Sequence, residues 1–198
     1  MKNKIAKFLP NHTITSHSLE ELFIADYKKI NNGDVVLLET APTDIKYVHI
    51  QNANKVAICF DGFKDNALPV NIKMGLHNRQ CECVIFPESC NDDDWVLFIE
   101  TKYANDRAAA FKETNGYPNV MVTQIIETVK YFRDNSIIEQ NKKVHAIVSF
   151  PNLVEEFNST IFQGELSTID ILTNHKIIIR GTNNANIISE KRIKLNLI

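Results

Sequence analysis

Glu82, Glu100 and Lys102 are the residues whose types and spacing could do chemistry together. They sit in two strand-forming runs, Cys81-Glu82-Cys83-Val84-Ile85-Phe86 and Trp95-Val96-Leu97-Phe98-Ile99-Glu100-Thr101-Lys102, separated by a loop rich in Pro, Ser, Asn and Asp. That pattern predicts a β-hairpin. Centred on Asn91, the hairpin sets Phe86 opposite Val96, Val84 opposite Phe98, Glu82 opposite Glu100 and Gln80 opposite Lys102. Strand side chains alternate with a period of two, so all eight share one face. Directly opposed carboxylates have Cβ atoms about 5 Å apart and repel each other. An apolar face ending in two carboxylates and a lysine therefore suits a divalent cation. A slip of one residue would break the arrangement.

An acidic residue, a gap and then Glu-x-Lys at the end of an apolar strand resembles the PD-(D/E)xK nuclease superfamily, which includes restriction endonucleases and related DNA-processing enzymes. The match covers residues 79–102, more loosely the helix and strand that follow. The first acid departs from the pattern, being Glu rather than Asp and following Cys81 rather than Pro. The resemblance implies an α/β fold with a restriction-endonuclease-like mixed sheet flanked by helices. It also implies a Mg2+- or Mn2+-dependent endonuclease acting on DNA, with restriction or phage defence as its context. Glu82, Glu100 and the Thr101 carbonyl would hold the metal, because magnesium takes oxygen ligands and keeps several waters. Such an ion lowers the pKa of bound water and stabilises charge on phosphate. Lys102 would orient the attacking water or offset the developing charge. Gln124 occupies the place of a functional glutamine in several exonuclease-like branches; Thr128 stands where their tyrosine would be, and Tyr131 points the same way along the helix.

Positioning these groups requires a frame. The length of 198 residues suits one domain, spanning 1–198, with the catalytic core at about 79–150. Ser18-Leu19-Glu20-Glu21 has the form of a capping box and predicts a helix over 18–31, on which Glu20 or Glu21 would offer a further acid. Strand-like runs follow at 35–39, 46–50 and 55–60, with turns at 61–62 and 64–66. After the hairpin, 105–114 is expected to be helical. A second helix over 119–134 buries Val122, Ile125, Ile126, Val129 and Phe132. The near-continuous apolar run 144–150 predicts a central strand covered on both faces. From Ile161 onward the pattern is β-rich, with strands expected at 169–172, 176–180 and 187–195, so β-rich segments extend the core at both ends.

A net charge of −2 argues against a globally basic nucleic-acid binder and leaves local patches to supply the contacts. The C-terminal residues Lys176, Arg180, Lys191 and Arg192 are the candidate nucleic-acid contacts. No apolar run approaches a membrane span, and the basic N-terminus lacks a signal-peptide pattern, so the expected location is cytoplasmic. Cys81 and Cys83 are expected on the strand face opposite Glu82; Cys59, Cys81, Cys83 and Cys90 lack paired zinc spacing. Glu88 and Asp92–Asp94 read as a polar hairpin loop. DNA is the expected partner, and the C-terminal third is left open between reading bases, pairing two copies into a homodimer and completing the sheet. The alternative is a non-catalytic nucleic-acid-binding or assembly protein on a nuclease-like fold. An α/β hydrolase lacks support, since no Gly-x-Ser-x-Gly or phosphate-binding glycine loop occurs.

Overall fold

The computed structural model describes residues 1–71, 74–89, 91–153 and 167–196. It is a mixed α/β protein with two principal sheets. The larger has the order β1 (Ile14–His17), β5 (Ile58–Gly62), β8 (Cys83–Pro87), β9 (Leu97–Thr101), β10 (Val144–Ser149), β11 (Ile177–Gly181). Its first three pairings are antiparallel and its last two parallel. The smaller has the order β13 (Arg192–Leu195), β12 (Asn184–Ser189), β4 (Val48–Gln51), β2 (Glu21–Asp26), β3 (Val35–Leu38). Strands β6 (Pro69–Asn71) and β7 (Leu76–His77) form a small separate pair.

Period-two alternation divides the core into two layers. Val84, Phe86, Val96 and Phe98 face a cluster that includes α1 (Lys2–Phe8), through Ile5, and α4 (Asn119–Asp134), through Met121, Ile125, Val129 and Phe132. Cys83, Ile85, Leu97 and Ile99 face the other way, onto Leu22, Ile24, Val48 and Ile50 of the smaller sheet. A strand buried on both faces needs apolar residues at nearly every position, which is why these runs are continuous. At Gly62 an added Cβ would lie 2.3 Å from the Val35 carbonyl oxygen, so this contact between the sheets requires glycine. Among the described residues no helix is long and apolar enough to cross a membrane.

The pairing Cys83–Ile99, Val84–Phe98 and Ile85–Leu97 is the register expected for a hairpin centred on Asn91. The helix over 119–134 and the strand at 144–149 also lie where expected. Several expectations need correction. Residues 18–31 are not one helix: Glu21–Asp26 is strand β2, followed by the single-turn α2 (Lys28–Asn31). The capping-box signal gives way to pairing with β3 and β4, which buries the alternating Leu22 and Ile24. Glu21 pairs with His49 and Glu20 approaches Lys55, so neither adds an acid to Glu82 and Glu100. Asp61 and Gly62 end β5 and do not form a turn. The expected strand at 169–172 is helix α5 (Thr168–His175); Ser167 and Asp170 form a reciprocal capping box there. The 105–114 segment holds only the short helix α3 (Arg107–Ala110) and a following 3-10 turn. Residues 161–166 of the β-rich stretch, like Cys90, lie outside the described residues.

Candidate active site

The carboxylates meet where β8 begins and β9 ends. Glu82 immediately precedes β8, and its main chain is held on both sides. Its N–H donates to the Ile99 carbonyl (2.9 Å) and its carbonyl accepts from Phe63 N–H (2.8 Å). Glu100 continues the Val96–Phe98 face of β9. Lys102 lies two residues on, its N–H bonded to the Ser149 carbonyl of β10 (2.9 Å). Its ammonium donates to both acids, at 3.3 Å to Glu82 Oε1 and in a short contact to Glu100 Oε1. The three residues expected to act together are thus brought together.

Glu100 is fully buried, and its Oε2 has no hydrogen-bond partner. Burial, reinforced by the charge of Glu82 and opposed by Lys102, pushes its carboxyl up to about 8. Burial also works against the charged form of Lys102, but Glu100 and Glu82 outweigh it and hold the lysine above its ordinary range. Lys102 is therefore an ammonium in this setting, suited to stabilising negative charge and not to taking a proton.

Two further groups come from the smaller sheet. Asp26 ends β2, and its Oδ1 accepts the Lys28 main-chain N–H (2.9 Å), turning the chain toward the acids. Lys28 Nζ then reaches Glu82 Oε2 at 2.8 Å and Asp65 Oδ1 at 3.5 Å. Burial first, then the charge of Glu82, raises the Asp26 carboxyl. Tyr103 locks this junction, accepting from Asp26 N–H (3.2 Å) and donating to the Lys46 carbonyl (2.9 Å). Asp26, Lys28 and Tyr103 were missed because the helix expected over 18–31 hid the strand end that delivers the first two. The available signal was the Leu22–Ile24 alternation.

Helix α4 grips the segment entering Glu82. Gln124 Nε2 donates to the Gln80 carbonyl (2.7 Å), and Thr128 Oγ1 accepts from Cys81 N–H (2.9 Å). Gln124 thus lies at the site, but its amide nitrogen is committed to the main chain; its Oε1 is buried without a partner. Gln80 does not face Lys102; its Oε1 accepts from the main-chain N–H groups of Ala67 and Leu68. Tyr131 lies two turns past Gln124 along the same face of the helix and is buried in the apolar core. Cys81 and Cys83 do not share a face, because Cys81 precedes β8 and packs on the α4 side, whereas Cys83 faces the smaller sheet.

Of the basic residues proposed from sequence, none reaches the acids. Arg180 pairs at the level of Ile147 and Ile99 and points toward the smaller sheet, opposite to Glu100. Lys176 precedes β11 at the other end of the sheet. Lys191 lies 3.6 Å from Asp93 in the hairpin loop, and Arg192 is its neighbour.

Of the two acids, Glu82 lines a depression of about 480 Å³ together with Lys28, Asp65, Arg79 and Gln124, and Glu100 lies buried behind it. A larger cavity, about 690 Å³, adjoins it across Asp65 and Asn66. Its His12 is committed on both ring nitrogens, to Asp61 (2.7 Å) and the Ala67 carbonyl (3.3 Å). Among the described residues no group of three His, Cys, Asp or Glu side chains could hold a metal. A cation would instead draw on Glu82, Glu100 and a main-chain oxygen. The Ile99 carbonyl points toward β8, and the strand period turns that of Thr101 the same way. An unpartnered buried carboxylate oxygen beside a second carboxylate fits a hard divalent cation. No family model, curated protein or solved structure matches the chain.

Proposed function

We propose that the chain is a metal-dependent nuclease of the PD-(D/E)xK type, hydrolysing phosphodiester bonds in DNA. The observation that carries this reading is the convergence of Glu82, Glu100 and Lys102, with the half-satisfied Glu100 carboxylate buried behind a Glu82 that lines a solvent-open depression. The order of elements supports it: an antiparallel β8–β9 pair, helix α4, then β10 parallel to β9, as in the restriction-endonuclease-like core. Magnesium or manganese, when bound, would supply positive charge on the phosphate and a water of lowered pKa. Glu82 and Glu100 would bind that ion, Glu100 giving up its proton to do so. Lys102, already cationic, would place its donors on the phosphate oxygens where charge develops. Gln124 and Thr128 hold the Gln80–Cys81 main chain and so fix Glu82.

The test is cleavage of duplex and single-stranded DNA with magnesium or manganese, comparing wild type with Glu100→Gln. The variant should lose cleavage by at least about a hundredfold, the scale for removing one group that stabilises the transition state. Equal activity in both proteins would sink the assignment. A second reading, a nucleic-acid-binding protein without catalysis, draws on the separation of Lys176, Lys191 and Arg192 from the acids. It predicts DNA binding with no cleavage by any metal.

A further inference from the structure

Glu82 carries two ammonium groups, and only that of Lys102 belongs to the Glu-x-Lys pair. The other, on Lys28, arrives from the smaller sheet around the end of the larger one. Lys28 lines the depression beside Glu82, and Lys102 does not. An ammonium has three donors. Glu82 takes one, and the ion pair with Asp65 at 3.5 Å is to a side chain 86% exposed and readily exchanged for a ligand.

We propose that Lys28 is a second phosphate-binding residue of this site, contacting a non-bridging oxygen of the scissile phosphodiester from the side opposite Lys102. The inference rests on the nuclease reading and extends it to a group outside the hairpin motif. Charge balance supports it. Asp26, Asp65, Glu82 and Glu100, when ionised, contribute four negative charges, and Lys28, Arg79 and Lys102 three positive ones. A divalent cation brings the cluster to +1, which one phosphodiester neutralises. Without Lys28 the same cluster would be neutral before the phosphate arrived and would offer the anion no net attraction. Cation binding would also draw Glu82 away from Lys28 and free donors for the phosphate. Lysine suits this point contact, whereas a bidentate arginine fork would match the carboxylates equally well.

The position follows from backbone geometry. Asp26 caps the Lys28 N–H, and its own N–H bonds the hydroxyl of Tyr103, the residue after Lys102, so the two lysines are set by one connected network. A residue that merely neutralised Glu82 would need none of this alignment toward the opening.

The experiment compares wild type, Lys28→Ala and Lys28→Arg in three measurements. These are kcat and KM for DNA cleavage, the magnesium-induced rise in Tm, and DNA affinity in a Glu100→Gln background where cleavage is stopped. Lys28→Ala should lower kcat/KM by about a hundredfold and weaken DNA binding about tenfold, with Lys28→Arg recovering much of both. The magnesium-induced rise in Tm should persist or grow in Lys28→Ala, because a competitor for Glu82 is gone. Cleavage by Lys28→Ala within threefold of wild type would overturn the proposal. So would loss of the magnesium response together with cleavage, which would make Lys28 only a support for Glu82. If wild type cleaves no DNA under any metal, the nuclease reading itself falls and takes this inference with it.

Discussion

At the scale of single residues, Glu100 sets the electrostatics of the site. Its carboxyl titrates at about 8 in the fold against an ordinary 4.5, burial being the larger cause and Glu82 the next. The folded chain therefore holds a proton that the unfolded chain has released throughout the interval between those values. Stability from this source is complete below 4.5 and is lost as pH rises toward 8. The metal-free wild type should accordingly lose Tm between pH 5 and pH 8 more steeply than Glu100→Gln, which has nothing to titrate at that position. Glu100→Gln should also be at least as stable as wild type at pH 8 without metal, since it removes a crowded charge. With magnesium present the dependence should reverse, because a cation bound there would need the deprotonated carboxyl and its stabilisation would grow with pH. Thermal melts of both proteins across this range, with and without magnesium, test all three statements. Parallel profiles in the absence of metal would show that Glu100 is not the buried titrating acid described.

At the scale of elements, the site is a junction between two sheets, and Tyr103 is its clasp. Its hydroxyl serves the Asp26 N–H from β2 and the Lys46 carbonyl ahead of β4, and the residue lies two positions past the end of β9. Tyr103→Phe keeps the ring and leaves both main-chain groups unpaired. Urea unfolding should show a loss of about 1–3 kcal/mol, the cost of stranding partly buried polar groups. Cleavage should fall as well, since Asp26 and Lys28 lose their tether; an unchanged unfolding midpoint would remove Tyr103 from this role. The same junction shows what local pattern can and cannot reveal. The β8–β9 register was legible because both strands have continuous apolar runs and a turn of defined centre, so Glu82, Glu100 and Lys102 could be placed together. Helix α4 was legible from its 3.6-residue stripe. Strand β2 was not, since a Ser-x-x-Glu sequence is a helix signal locally and only pairing with β3 and β4 decides otherwise. Asp26 and Lys28 became visible only with that tertiary contact. Helix α5 was missed for the converse reason: an Ile-rich stretch with strand propensity follows a capping box that fixes it as helix.

At the scale of the whole molecule, the acids lie at one end of the larger sheet and the basic residues Lys176, Lys191 and Arg192 at the other. Trp95 N–H reaches the Glu190 carbonyl (3.3 Å) near the start of β9, placing the β12–β13 turn with Lys191 and Arg192 at that end. Glu100 lies five residues further along, about 17 Å away at 3.3 Å per residue. That distance corresponds to roughly five base pairs along one DNA strand. A short oligonucleotide seated on Glu82 and Glu100 therefore cannot also engage Lys191 and Arg192, whereas a longer duplex can. Replacing Lys176, Lys191 and Arg192 with Gln should weaken binding to duplexes of about 20 base pairs and flatten the salt dependence, because fewer phosphate counterions are released. Cleavage of oligonucleotides of four to six nucleotides should be unaffected, and the magnesium-induced rise in Tm should stay at its wild-type size. Fluorescence anisotropy across a salt series, with duplexes of increasing length, reads the first effect, and short-substrate kinetics read the second. Equal losses on short and long substrates would mean that these residues act on the site itself, against the separation seen along β9. No loss on either would show that the basic end of the sheet is only solvated surface, leaving Lys28, Arg79 and Lys102 as the positive charge that would have to hold DNA.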